Sequence, residues 1–116
     1  MRPNWWRCCR TVAATLTPKF DNAAVIGPVQ AVTEVGHPTH GALRLTVDGV
    51  ERQNGDLSDM IWPVADVVSF ASRSMTLAPG DVFMTGTPAG VGPLERGNTA
   101  VVEIAGLAPL SVSIAP

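Results

Sequence analysis

The chain has 116 residues, enough for one modest domain with a single apolar core. Hydrophobic residues make up 46% and charged ones 16%, a balance that excludes a disordered chain. The formal net charge of −2 and the lack of any long Lys/Arg run exclude the electrostatic footprint of a nucleic-acid binder.

No uninterrupted apolar stretch reaches the roughly 18 to 20 residues of a membrane span. Arg2, Arg7 and Arg10 lie near the start, but no apolar h-region follows them, so neither a membrane partner nor a secretory signal is expected. The only cysteines, Cys8 and Cys9, are adjacent and make no disulfide framework, which fits a reducing, cytoplasmic setting.

In chain order, residues 1 to 18 show no sustained period and form an irregular N-terminal segment. Residues 23 to 35 (AAVIGPVQAVTEV) are rich in β-branched side chains and broken by Gly27-Pro28, which predicts two short strands joined by a turn. A loop through His37 and His40 follows. Leu43, Leu45 and Val47 alternate with Arg44 and Thr46, and Asp48-Gly49 then offers the positive-φ pair of a two-residue hairpin turn, with residues 50 to 53 returning. Asp56 and Asp59 read as caps of the next loop and helix. The helix is predicted over residues 63 to 74: Pro63 suits a first-turn position, and Val64, Val67, Val68 and Ala71 share one face. Pro79-Gly80 predicts a turn that Asp81 serves, residues 81 to 85 a strand, and residues 86 to 98 a glycine-rich loop. Residues 100 to 104 and 110 to 114 then pair across a turn at Ala105-Gly106. The fold class is mainly β with about one helix, an antiparallel or mixed roll rather than a βαβ array.

The chemistry-bearing stretch is TGTPAGVG, residues 85 to 92. It has no Lys-Ser/Thr after its glycines, so it is no Walker loop, and no helix follows, so it is no dinucleotide fingerprint. Two readings stand on the residues themselves. It is either a turn whose threonines cap backbone locally, or a strand end where bare backbone and hydroxyls meet an anion. His37 and His40 sit in a loop where Pro38 prevents a helical turn from presenting both, so they read as solvated. Met60, Trp62 and Phe70 read as core or interface apolar groups.

The run Leu77-Ala78-Pro79-Gly80-Asp81 followed by Thr85-Gly86-Thr87-Pro88-Ala89-Gly90-Val91-Gly92 resembles the signature of the fumarylacetoacetate hydrolase family. So do Val47-Asp48-Gly49 with Arg52-Gln53, Ser58-Asp59-Met60-Ile61, and Lys19-Phe20-Asp21 with Ile26-Gly27-Pro28. The resemblance implies that residues 19 to 116 are part of a catalytic domain of β-roll type. It implies Mg²⁺ or Mn²⁺ chemistry on a small 2-oxo or β-diketo acid, such as an acylpyruvate, with isomerisation of a dienoic dioate or oxaloacetate decarboxylation as alternatives. By position, Lys19 would pair with substrate carboxylate or enolate, and Thr87 with Gly86 would hold the carboxylate. Arg52-Gln53 matches the family without a role. The resemblance also implies homodimers.

The family's metal ligands, a Glu-x-Glu pair and an Asp, lie upstream of the lysine segment, and no acidic residue here precedes Asp21. The ligands are therefore expected to be absent from this chain. A rival expectation follows, a catalytically inactive remnant serving as an oligomerisation or interaction module. Lys19 also abuts Phe20, where the family has one residue between them, a shift that would turn the side chain to the other face of a strand.

Overall fold

The computed structural model describes residues 13–15 and 24–116. Strand β1, Ala13–Thr15, pairs antiparallel with β2, Ala24–Ile26, so a stretch without sequence periodicity contributes a short ladder. The second strand predicted before residue 35 is instead one helical turn, α1, Val32–Val35. Its bonds are local: the N–H of Gly36 closes on the carbonyl of Val32, and Gly36 at φ 67° ends the turn. Local hydrogen bonds satisfy this backbone, which β-branched composition alone would have assigned to a sheet.

The hairpin forms as the alternation predicts. Strand β3, Ala42–Val47, returns as β4, Val50–Asp56, through Asp48 at φ 50° and Gly49 at φ 79°, the conformation of a type I′ turn. Asp48 also fastens this turn to the neighbouring strand. Its Oδ1 accepts from the N–H of Thr99 at 2.8 Å and its Oδ2 from the Asn98 side chain at 2.7 Å. Strands β5, Thr99–Ile104, and β6, Leu110–Ser113, complete an antiparallel sheet of order β4-β3-β5-β6.

The core lies on one face of that sheet. Val47, Ala100, Val102 and Leu110 are buried, with Val25, Leu45, Ile104, Leu107 and Val112 packed around the Val102–Leu110 pair. Strand β4 joins that face with a register shift. Leu45 is opposite Gln53 but Thr46 is opposite Glu51, so Arg52 is the extra residue of a β-bulge.

Helix α2, Val64–Ser74, begins one residue after Pro63, and its predicted face of Val64, Val67, Val68 and Ala71 is half-buried. Of the two readings of Trp62 and Phe70, core or interface, the core one is excluded: they are 58% and 66% exposed, and Ile61 is 93% exposed. One expectation fails nearby. The apolar run 82 to 84 is no strand, because it joins neither edge of the described sheet; Phe83 turns instead toward α2, with Val82 and Met84 exposed. Apolar composition makes a strand only when a ladder partner lies alongside.

Candidate functional site

The glycine-rich loop, residues 85 to 92, lies against the bulged part of β4, and three features of the sequence seat it there. Gly90 has no side chain and φ 102°; a Cβ at that position would overlap the Arg52 carbonyl oxygen. Gly55, further along β4, leaves room for the Pro88 ring, since a Cβ there would stand 3.3 Å from the ring. Gln53, buried in β4, donates from Nε2 to Thr87 Oγ1 at 2.9 Å and to the Pro88 carbonyl at 2.8 Å. The Thr87 hydroxyl can in turn donate to Gln53 Oε1 at 3.1 Å.

The end of β4 is held separately. Both oxygens of Asp56 accept from the N–H of Gly41 at 3.1 Å, and Oδ1 accepts from the Ser58 N–H at 2.9 Å and its hydroxyl at 2.7 Å. Asp59 Oδ2 accepts from the N–H of Asp56 at 2.8 Å, closing a capping box on the 3₁₀ turn Leu57–Asp59. The predicted caps are thus in place, although they cap this turn rather than α2. The Ser58 N–H first, then its hydroxyl and the Gly41 N–H, hold the Asp56 carboxyl below its ordinary pKa, because each bond favours the charged form.

The loop itself offers donors. Thr87 is exposed, and Gly86 stands beside it at φ 103° with open space where a Cβ would project. Among the described residues, no backbone N–H of residues 85 to 92 bonds to a protein acceptor. An exposed hydroxyl beside N–H groups without an acceptor among the described residues is suited to a carboxylate. Thr87 therefore does not cap the backbone of its own loop; it is tied to a strand 34 residues away in sequence. Lys19 lies outside the described residues. Gln53 was marked by the resemblance without a role, and its place under the loop is what sequence reasoning missed. Regular pairing outward from the turn would set Arg52 opposite Leu45 and Gln53 on the wet face, and only the bulge reverses them.

The described residues do not fit a metal ion. No three of His, Cys, Asp and Glu among them converge on one point, and Asp56 and Asp59 are committed to the capping box. Asp81 accepts from the N–H of Ala78 at 2.7 Å, the turn role expected of it. Two clefts flank α2 rather than the loop. One is lined by Trp62, Asp66, Ser69, Phe70 and Arg73, the other by Trp62, Val67, Phe70, Ala71 and Phe83. No helix among the described residues is long and apolar enough to cross a membrane.

With this geometry in place, the family described as fumarylacetoacetate (FAA) hydrolase C-terminal matches residues 9–115. The chain belongs to the fumarylacetoacetate hydrolase family. It is 40% identical over 88 residues to the oxaloacetate tautomerase YcgM of Escherichia coli K12, covering 75% of this chain and 40% of that protein. The fumarylpyruvate hydrolase of Pseudomonas aeruginosa, solved in complex with Mn²⁺ and pyruvate, superimposes with a TM-score of 0.80 at 49% identity, covering 83% of this chain and 41% of that one. The 2-hydroxyhepta-2,4-diene-1,7-dioate isomerase of Mycobacterium marinum gives 0.76 at 41% identity, with 83% and 37% covered. The chain thus spans about two fifths of the length of these relatives. The expected fold class, an incomplete roll of this family with one main helix, is the one observed.

Proposed function

We propose that this chain supplies the carboxylate-holding face of a fumarylacetoacetate hydrolase-type site for a small 2-oxo or β-diketo acid. The reaction of the whole site is proposed as hydrolytic C–C cleavage of an acylpyruvate. The observation that carries this reading is the loop of residues 85 to 92, seated on β4 by Gln53, with its exposed Thr87 hydroxyl and N–H groups that have no acceptor among the described residues. Thr87 and the backbone at Gly86 would receive the carboxylate, with Lys19 as the proposed cation beside it. One relative, 49% identical, is a fumarylpyruvate hydrolase by name and was solved with Mn²⁺ and pyruvate, which supports a 2-oxo acid as ligand. Tautomerisation or isomerisation remains the alternative chemistry, on the strength of the other two relatives.

In the family a divalent ion, Mn²⁺ or Mg²⁺, would supply charge stabilisation to the developing enolate. The described residues provide no ligand set for it. What this chain does is bind and orient a carboxylate. Binding that is equal in ground and transition states lowers no barrier. The 116 residues are therefore expected to bind pyruvate without cleaving acylpyruvates and to bind Mn²⁺ or Mg²⁺ only weakly. Calorimetric metal titration and an acylpyruvate assay test both halves; micromolar metal affinity with clear turnover would overturn this division of labour. The second reading, an association module that forms a homodimer, draws on the exposed Trp62 and Phe70 on the α2 side, with the half-buried Phe83 beside them.

A further inference from the structure

The amide of Gln53 fixes more than the position of the loop. Among the described residues it is the buried polar side chain, 7% exposed. Its nitrogen carries two hydrogens. One goes to Thr87 Oγ1 and the other to the Pro88 carbonyl, so both are used. The Pro88 carbonyl also fixes which way round the amide sits, because the flipped form would place Oε1 against another acceptor.

We infer that Gln53 is a positioning residue that sets the hydrogen-bond polarity of Thr87, leaving the hydroxyl proton as the group Thr87 can give to a ligand. A threonine oxygen that accepts from Nε2 must send its single hydrogen elsewhere. Among the described residues the available acceptor is Gln53 Oε1, at the longer distance of 3.1 Å. A carboxylate is a stronger acceptor than a neutral amide oxygen, since charge-assisted bonds are roughly twice as strong. The proton can swing outward to it while the bond from Nε2 stays in place. The bulge at Arg52 is what turns Gln53 under the loop, and Gly90 is what lets the Arg52 carbonyl approach. The ligand in this inference rests on the proposed function; the polarity of Thr87 does not.

The experiment is solution NMR of the whole chain, first without ligand. The Gln53 side-chain amide protons should exchange slowly, and Thr87→Val should shift one of the pair while the one bound to Pro88 stays. Gln53→Met should displace the amide signals of Gly86, Thr87, Ala89 and Gly90. Gln53 protons exchanging as fast as those of an exposed glutamine, with unmoved loop signals in Gln53→Met, would overturn the inference. Pyruvate is then titrated. Gln53→Met should weaken its binding about fivefold to tenfold, the scale of one lost hydrogen bond. Gln53→Glu should bind poorly where its carboxyl is charged and regain affinity as the pH falls through that carboxyl's pKa, which burial against the Pro88 carbonyl raises, because the protonated group can donate again. Unchanged affinity in both variants would overturn the inference. If wild-type chain shows no pyruvate-dependent shifts, the proposed function falls, and the ligand-free amide data still decide the role of Gln53.

Discussion

The two ends of the chain's described fold differ in how far they satisfy themselves. In the sheet of β3, β5 and β6, apolar side chains meet across neighbouring strands, and Val102 and Leu110 are each 8% exposed. From Ile61 to Val91 the sequence is just as apolar, yet Trp62, Phe70, Met75, Val82, Met84 and Val91 are each at least 45% exposed. No described side chain anywhere is less than 2% exposed. The sheet closes its core by antiparallel pairing within some 70 residues, whereas α2 and the run before the loop present surface that this part of the fold leaves open. The loop of residues 85 to 92 stands between the two, and it is ordered from the sheet side, by Gln53 and the backbone of β4.

The largest effect should come where loop and sheet touch. Gly90→Ala places a methyl against the Arg52 carbonyl and strains a backbone at φ 102°, a combination expected to cost about 3 kcal/mol. Urea unfolding would show the lowered midpoint, and amide shifts over residues 85 to 92 would show the loop unseated. Val102→Ala comes next, at about 2 kcal/mol, for lost burial plus a cavity. Phe70→Ser, at a side chain 66% exposed, should change stability by less than about 0.5 kcal/mol. Equal costs for the Val102 and Phe70 variants would break the contrast between sheet and helix.

The smallest effect is the pH dependence of the corner after β4. Asp56 has a folded-state pKa below its unfolded value, so its contribution is fully present above the unfolded pKa of about 3.9. It is lost as pH falls through the lower folded-state value. Stability should therefore decline in acid below about pH 4, and Asp56→Asn should flatten that part of the profile. A decline of equal size in the variant would show that other carboxylates cause it.

How much of this was legible in the sequence follows the range of the interactions. The hairpin was, because Asp48-Gly49 carries its own backbone preference and the alternation beside it needs no distant partner. Helix α2 and the Asp56–Asp59 caps were legible for the same reason: their signals lie within a few residues. Residues 82 to 84 misled because a strand is defined by its neighbour, and Val32–Val35 because one local turn satisfied β-branched backbone. At the site, Gly86 and Thr87 were marked by motif resemblance. Gln53 was hidden behind the Arg52 bulge, since a one-residue change of register exchanges the two faces of a strand.

The central claim is that an exposed hydroxyl and open backbone at residues 85 to 92 receive a carboxylate. Titrating pyruvate into the uniformly ¹⁵N-labelled chain tests it most directly, because it needs neither metal nor turnover. The account predicts saturable shifts centred on Gly86, Thr87, Ala89 and Gly90, abolished by Thr87→Val. Shifts that cluster along α2, or persist undiminished in Thr87→Val, would contradict it.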